Sequence, residues 1–258
     1  LQHFFYAVPV PPISVILITK NAAAHVECAL RSVAWADERI VVDCGSDDAT
    51  VALAHPLATR VETHPWSGYG AQKNHAASLA NHDWVLSLDA DEAITDRLRD
   101  QIAALALTPD TAAFRMPRVT WYLGRWIRTT DWYPDRAVRL YDRRRARWDD
   151  RPVHEALLVD GPIADLPGEI EHRPYADVAE HLGRMNHYTT LAATQMQAQG
   201  RQARAWHLLV HPPAAFLRNY VARGGIRDGV PGLIVSLLGA VYVLQKYVKL
   251  WERQRQAP

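Results

Sequence analysis

Apolar residues along this chain keep two rhythms, and the change between them comes near residue 112. Before it, short apolar runs alternate with segments of helical spacing. Residues 13–18 (ISVILI) and 39–42 (RIVV) are rich in β-branched side chains, which suits strands covered on both faces of a parallel sheet. Residues 84–88 (WVLSL) read as another such strand, and residues 60–62 as a weaker one. Asn21 is placed to start a helix carrying Val26, Leu30 and Val33, and Asp47 or Asp48 to cap residues 49–54. Residues 70–80 read as a further helix. Thr95 is placed to cap an amphipathic helix with Leu98, Ile102 and Leu105 on one face.

Strand alternating with helix predicts an α/β domain with a parallel sheet. Ligands of such sheets bind beyond the carboxyl ends of the strands. The polar sets Thr19-Lys20-Asn21, Asp43-Cys44-Gly45-Ser46 and Asp89-Ala90-Asp91-Glu92 each follow a strand directly, so they are expected on one edge.

Past residue 112 the chain is crowded with aromatics and arginines, Trp121, Tyr122, Trp126, Trp132, Tyr133 and Trp148 among the former. The faces of Trp121, Trp126, Trp132 and Tyr133 suit sugar rings or a core. Arg115, Arg118, Arg125, Arg128, Arg136 and Arg139 suit phosphate or carboxylate groups of an acceptor, or a solvated face. Residues 176–199 read as helical and residues 212–223 as a short basic amphipathic helix. Residues 229–245 carry no charge. The expected division is a catalytic domain at 1–175 and a helical, basic extension at 176–258.

Charge sharpens that division. The chain holds 258 residues with a net charge of +1. From Arg201 onward nine basic residues face only Asp228 and Glu252, so the tail carries +7 and residues 1–200 carry −6. A basic tail on an acidic body suggests an anionic surface, membrane or nucleic acid. Leu233, Leu237, Val241, Leu244, Val248 and Trp251 recur at helical spacing, with Lys246, Lys249, Arg253 and Arg255 among and after them. That pattern fits a helix lying in a membrane interface. The uncharged run is short of the about 20 residues a span needs, and Pro231 with its glycines weakens a span further. The alternative is a core helix with a basic end. Cys28 and Cys44 give neither a disulfide framework nor a paired metal motif, which points to a reducing compartment. Residues 1–12 lack the basic and long apolar regions of a signal peptide.

Asp89 and Asp91, spaced i, i+2 after a buried strand, can meet one hard cation. The alternative is a solvated acidic turn. Its surroundings favour the first reading, because the chain resembles glycosyltransferase family 2. Three stretches carry the resemblance in order: residues 14–21 (SVILITKN), 41–48 (VVDCGSDD) and 88–92 (LDADE). Within the family it is most similar to bacterial lipopolysaccharide inner-core β-1,4-glucosyltransferases, through residues 66–74 (WSGYGAQKN), 122–127 (YLGRWI), 132–135 (WYPD), His154-Glu155, Asp228-Gly229 and 246–250 (KYVKL).

The resemblance implies a GT-A fold, Rossmann-like with a mostly parallel sheet and a C-terminal helical extension. It implies a metal-dependent inverting transfer from a UDP-sugar, UDP-glucose in this subgroup, to the heptose of a lipid-linked inner-core glycan. Thr19, Asn21 and Asp43 would contact base and ribose. Asp91 would ligate Mg²⁺ or Mn²⁺, joined by His172, and Asp89 would lie nearer the ribose or sugar. Lys73, after the glycines 68 and 70, would neutralise phosphate or else belong to an ordinary amphipathic helix, and Glu155 would be the base or else an ordinary surface or salt-bridged acid, with Asp131 and Asp135 as reserves. Cys44 stands where relatives often carry a second carboxylate, and residues 22–24 lack their usual acid. The expected location is peripheral, on the cytoplasmic face of the inner membrane, with no nucleic-acid partner. Alternatives are a family 2 enzyme acting on a polyprenyl phosphate or another surface glycan, and a non-catalytic module that binds membrane or nucleic acid.

Overall fold

The computed structural model describes residues 12–105, 107–108, 110–149, 151 and 155–256. The reading of the first residues as no signal peptide, and His154 beside the candidate base, fall outside them. The chain forms two compact units: Leu1–Arg118 with Arg136–His172, and Val119–Asp135 with Arg173–Pro258.

In the first unit, strands β1 (Ile13–Thr19), β2 (Glu38–Asp43), β3 (Arg60–Thr63) and β4 (Trp84–Asp89) run parallel in the order β3-β2-β1-β4. Helices α1 (Val26–Ser32), α2 (Thr50–Ala54) and α3 (Tyr69–Ser78) make the crossovers. The sheet then turns mixed. Strand β8 (Asp135–Asp142) lies antiparallel to β4, followed by β6 (Ala113–Tyr122), β12 (Ile170–His172) and β5 (Glu92–Ile94). Helix α4 (Asp96–Ala103) follows β5, and β11 (Ile163–Asp165) pairs with β6. Strands β9 (Ala146–Trp148) and β10 (Leu157–Val159) form a separate ribbon. This is the expected α/β, mostly parallel architecture.

Alternation explains why the strands read as apolar throughout. Ile13, Val15 and Leu17 of β1 join one buried cluster with Leu30, Leu86 and Leu98, while Ile16 joins the other with Ile40, Val85 and Tyr141. Both faces are covered, so no polar alternation survives. Each such aliphatic contributes about 1.5–3 kcal/mol on burial. Thr95 Oγ1 accepts from the Leu98 amide at 3.3 Å, as its position predicts. The first helix begins at Val26 rather than near Asn21, because Asn21 has φ 50° and its side chain is engaged in the next loop.

In the second unit, α5 (Val178–Ala198), α6 (Ala205–Leu217) and α7 (Gly229–Gln256) pack around Ala193, Met196, Ala203, Tyr247 and Leu250. A three-residue strand, β7 (Arg125–Ile127), folds back on Thr120–Tyr122. The expected helix at 212–223 instead starts at Ala205 and ends at Leu217, with Pro212 and Pro213 inside it and a wider turn at Arg218–Ala222. The uncharged run belongs to a 28-residue helix, so its length alone does not rule out a span. Through Gly225–Gln256 the chain is long and apolar enough to cross a membrane, with mean hydropathy 1.5 in its most apolar stretch. Glycine there has a packing reason: a Cβ on Gly232 would lie 2.0 Å from the Gly225 carbonyl oxygen. Asp228 fixes the start of α7, accepting from the Arg128 amide at 2.9 Å and Thr129 Oγ1 at 2.6 Å.

Candidate active site

Apart from the reserve bases, the candidate residues lie in the first unit, with Thr19, Asp43 and Asp89 at the carboxyl ends of β1, β2 and β4. The loops after β1 and β2 are knitted together. Thr19 Oγ1 donates to Asp43 Oδ2 at 2.9 Å, and the Cys44 amide donates to the Thr19 carbonyl at 2.9 Å. Asp43 Oδ1 accepts from the amides of Gly45 and Ser46 at 2.9 and 2.8 Å. Burial resists ionisation of Asp43, yet bonds from Ser46 and Thr19 outweigh it and hold the carboxyl below its usual range. Asn21 Oδ1 accepts from the Asp47 amide at 3.0 Å, and the Asn21 amide donates to Ser46 Oγ at 2.8 Å. Thr19, Asn21 and Asp43 thus shape the loops with their own polar atoms. Cys44 is buried, its Sγ accepting from Gln72 Nε2 at 3.3 Å, and burial first, then Asp43, push the thiol pKa up.

Lys73 is buried between two of the chain's own carboxylates. Its side chain is 3% exposed, and Nζ lies 3.0 Å from Asp89 Oδ1 and 2.9 Å from Glu155 Oε1. The same ammonium stands 4.5 Å from the centre of the Trp148 ring. Asn74 explains how Glu155 arrives there. Its Nδ2 donates to the Trp148 carbonyl at 2.8 Å and its Oδ1 accepts from the Trp148 amide at 2.9 Å, clamping β9 to α3. Asp149 and Ala156 then exchange backbone and side-chain bonds across the ribbon, which carries Glu155 back toward α3. Gly70, one of the glycines before Lys73, serves this packing. A Cβ on Gly70 would meet the Asp149 carbonyl oxygen at 1.8 Å, so the close approach there is to the chain's own backbone.

Asp89 is held on its other side by Arg139, whose Nη2 lies 2.6 Å from both Asp89 Oδ2 and Glu92 Oε1. Burial opposes the charge on Asp89, but Arg139 and Lys73 overcome it and keep the carboxylate ionised far below its ordinary range. Glu92 is buried and also takes Arg118 Nη1 at 2.8 Å. Arg118 and Arg139 therefore bind the chain's own carboxylates rather than an acceptor. Arg115 and Arg136 share Asp165, and Arg125 reaches Asp228 within the second unit. The buried Glu92–Arg139 pair was not predicted as part of the site. The signal was present, since Glu92 adjoins the Asp89–Asp91 pair, but nothing in sequence joins it to Arg139.

Asp91 stands apart from this network. Its Oδ2 lies 3.5 Å from His172 Nε2, and both side chains remain partly exposed. Strand pairing makes the contact: β12 runs antiparallel to β5 with His172 opposite Glu92. Burial tends to raise the Asp91 pKa, and the bond and charge of His172 more than reverse that. Oxygen and nitrogen ligands about 2.1 Å from an octahedral ion stand roughly 3 Å apart, so this pair fits Mg²⁺ or Mn²⁺. Among the described residues no group of three His, Cys, Asp or Glu side chains gathers to hold an ion. Two protein ligands suit an ion that takes the rest of its shell from water and phosphate.

Of the reserve bases, Asp131 lies in the second unit and accepts from Asn219 Nδ2 at 3.0 Å. Asp135 belongs to that unit too. Tyr122 is buried there against His181 at 2.8 Å, and burial, with Tyr175 and Asp177, pushes its phenol up to about 12. Tyr122 and Trp148 are core.

The sequence profile described as Glycosyl transferase family 2 matches residues 14–157. The lipopolysaccharide core biosynthesis glycosyltransferase LpsC of Rhizobium meliloti is 30% identical over 254 residues, covering 95% of this chain and 94% of that one. An uncharacterised glycosyltransferase of Rickettsia prowazekii is 28% identical, covering 92% of this chain and 86% of its own length. Among solved structures, Staphylococcus aureus TarS 1–349 in complex with UDP-GlcNAc aligns with a TM-score of 0.48 at 15% identity, over 95% of this chain and 92% of that chain.

Proposed function

The chain belongs to glycosyltransferase family 2, and from that premise we propose that it is an inverting enzyme of lipopolysaccharide core assembly. In this reading it transfers glucose from UDP-glucose to a heptose of the lipid-linked inner core. The core-assembly assignment draws on the likeness to LpsC; the donor, the heptose and the inversion draw on the motif resemblance.

The observation that supports the reading most is the lysine bridge between Asp89 and Glu155. It holds one carboxylate of the strand-end pair and the candidate base around one point. Lys73 engages Oε1 of Glu155. In this reading Oε2 takes the acceptor hydroxyl proton. The freed oxygen would attack the anomeric carbon as the bond to the diphosphate breaks. The bonding pair leaves with the diphosphate, and one displacement inverts the centre. Asp89, fixed by Lys73 and Arg139, would orient the ribose or donor sugar. The loops built by Thr19, Asn21 and Asp43 would receive the base and ribose. Asp91 and His172 would hold Mg²⁺ or Mn²⁺, which when bound neutralises developing charge on the diphosphate.

The proposed domain division keeps catalysis in residues 1–175 and membrane attachment in 176–258. Leu237, Val241, Leu244, Val248 and Trp251 are all exposed along α7 beside the basic tail, which supports a helix lying on an anionic cytoplasmic membrane face. The test of the reaction is incubation with UDP-glucose and a heptose-terminated core acceptor, with the new linkage read by NMR. A β-linked product supports it, and an α-linked product from the α-linked donor contradicts inversion.

A further inference from the structure

The second unit contains a cavity of about 350 Å³, within the range of small-ligand sites, roughly 300–1,000 Å³. The reaction described above does not use it. Trp132, Tyr175, Tyr188 and Tyr242 form much of its wall, and Lys246 and Arg218 bring two positive charges to it. Leu238, Tyr242 and Lys246 follow one another at four-residue steps on one face of α7. The adjoining face of the same helix carries the exposed Leu237, Val241 and Leu244.

The charges in this cavity do not balance. Asp131 is its only carboxylate, and it already accepts from Asn219 Nδ2 at 3.0 Å, with Arg218 at 3.9 Å. Lys246 has no recorded carboxylate partner among the described residues. Its ammonium lies 5.7 Å from the ring centres of Tyr242 and of Tyr247. Burial first, then Arg201 and Arg218, push its pKa down. An aromatic wall alone would suit a quaternary ammonium, but two cations on the lining repel one. An apolar and aromatic cavity with surplus positive charge, set on a helix whose next face is exposed and apolar, matches an anionic head on an apolar tail.

We propose that this cavity receives the phosphate headgroup of an anionic membrane lipid, with Lys246 and Arg218 on the phosphate and α7 along the acyl chains. The site is separate from the transfer chemistry, and its test reads binding rather than turnover.

The experiment titrates the full chain with dihexanoylphosphatidylglycerol below its micelle concentration, so that bulk membrane attraction plays no part. Dihexanoylphosphatidylcholine and inorganic phosphate are titrated in parallel. The expected result is saturable phosphatidylglycerol binding at least tenfold tighter than either comparison. Lys246→Met should weaken it at least fivefold, and Lys246→Arg should restore most of it. Equal binding of the two lipids would overturn the proposal. So would saturation by inorganic phosphate in the same range, which would make this a free-phosphate site. Unchanged binding in a folded Lys246→Met chain would do the same. The headgroup comparison uses the unaltered chain, so it stands even if a variant fails to fold.

Discussion

The ammonium of Lys73 lies 2.9 Å from Oε1 of Glu155, although 82 residues separate them in sequence. The contact joins helix α3 to the segment before β10, and it gives the proposed base a fixed orientation beside Asp89. A salt-bridged acid is the alternative to a base at this position, and Glu155 is salt-bridged to Lys73. The arrangement gains its meaning from what Lys73 holds on its other side.

Glu155→Gln keeps the shape of the side chain and removes its ability to take a proton. Turnover should fall by about 10²–10⁴, while the donor dissociation constant stays within about threefold. Single-turnover kinetics alongside calorimetry separates the two. A near-normal rate would remove Glu155 from the base role and leave the lysine bridge as a structural ion pair.

Asp91 and His172 should act together on the metal. Mn²⁺ titrated in the presence of UDP should bind at least about tenfold more weakly, or about 1.4 kcal/mol, to Asp91→Ala and to His172→Ala. The double variant should lose less than the sum of the two single losses, because both touch one ion. Metal binding unaltered in His172→Ala would reduce that histidine to a partner of Asp91.

Asp43 ties the first two loops together, so Asp43→Asn should cost about 1–3 kcal/mol at neutral pH. The folded pKa of Asp43 is lowered. Its stabilisation is therefore fully present above the unfolded value of about 3.9 and is lost as pH falls through the folded value. Denaturant melts of both chains should show a full gap near pH 7 that narrows below about pH 4. A gap independent of pH would mean that the amide replaces the carboxylate without electrostatic loss.

Attachment to a membrane rests on the exposed face of α7. Val241→Glu with Leu244→Glu should weaken sedimentation with phosphatidylglycerol vesicles by about tenfold or more, and salt should weaken the unaltered chain in the same assay. Transfer to a water-soluble acceptor should be unchanged. Vesicle binding that survives the double substitution would assign the apolar face to another partner.

Much of this was legible in the sequence. Residues 13–18 and 84–88 announce buried strands because both faces of the sheet are covered, and the polar turns after them share an edge because parallel strands end together. What sequence did not give was pairing at long range. Arg118 and Arg139 look like any other arginine of the stretch after residue 112, yet they neutralise Glu92 and Asp89. Lys73 reads as a phosphate ligand because it follows glycines, but one of them, Gly70, accommodates the backbone of Asp149. His172 was named through resemblance, and its position depends on the register of β12 against β5, which no local pattern encodes. Helix α6 was misplaced because Pro212 and Pro213 sit inside it.

The central claim is that this chain binds a nucleotide diphosphate sugar through a divalent ion at the Asp91 edge. Calorimetry across a panel of nucleotide sugars, with Mn²⁺, with Mg²⁺ and with EDTA, tests it most directly. The account predicts binding of one UDP-sugar, UDP-glucose, that is lost in EDTA and in Asp91→Ala. A folded chain that binds no nucleotide sugar under any of these conditions would contradict it.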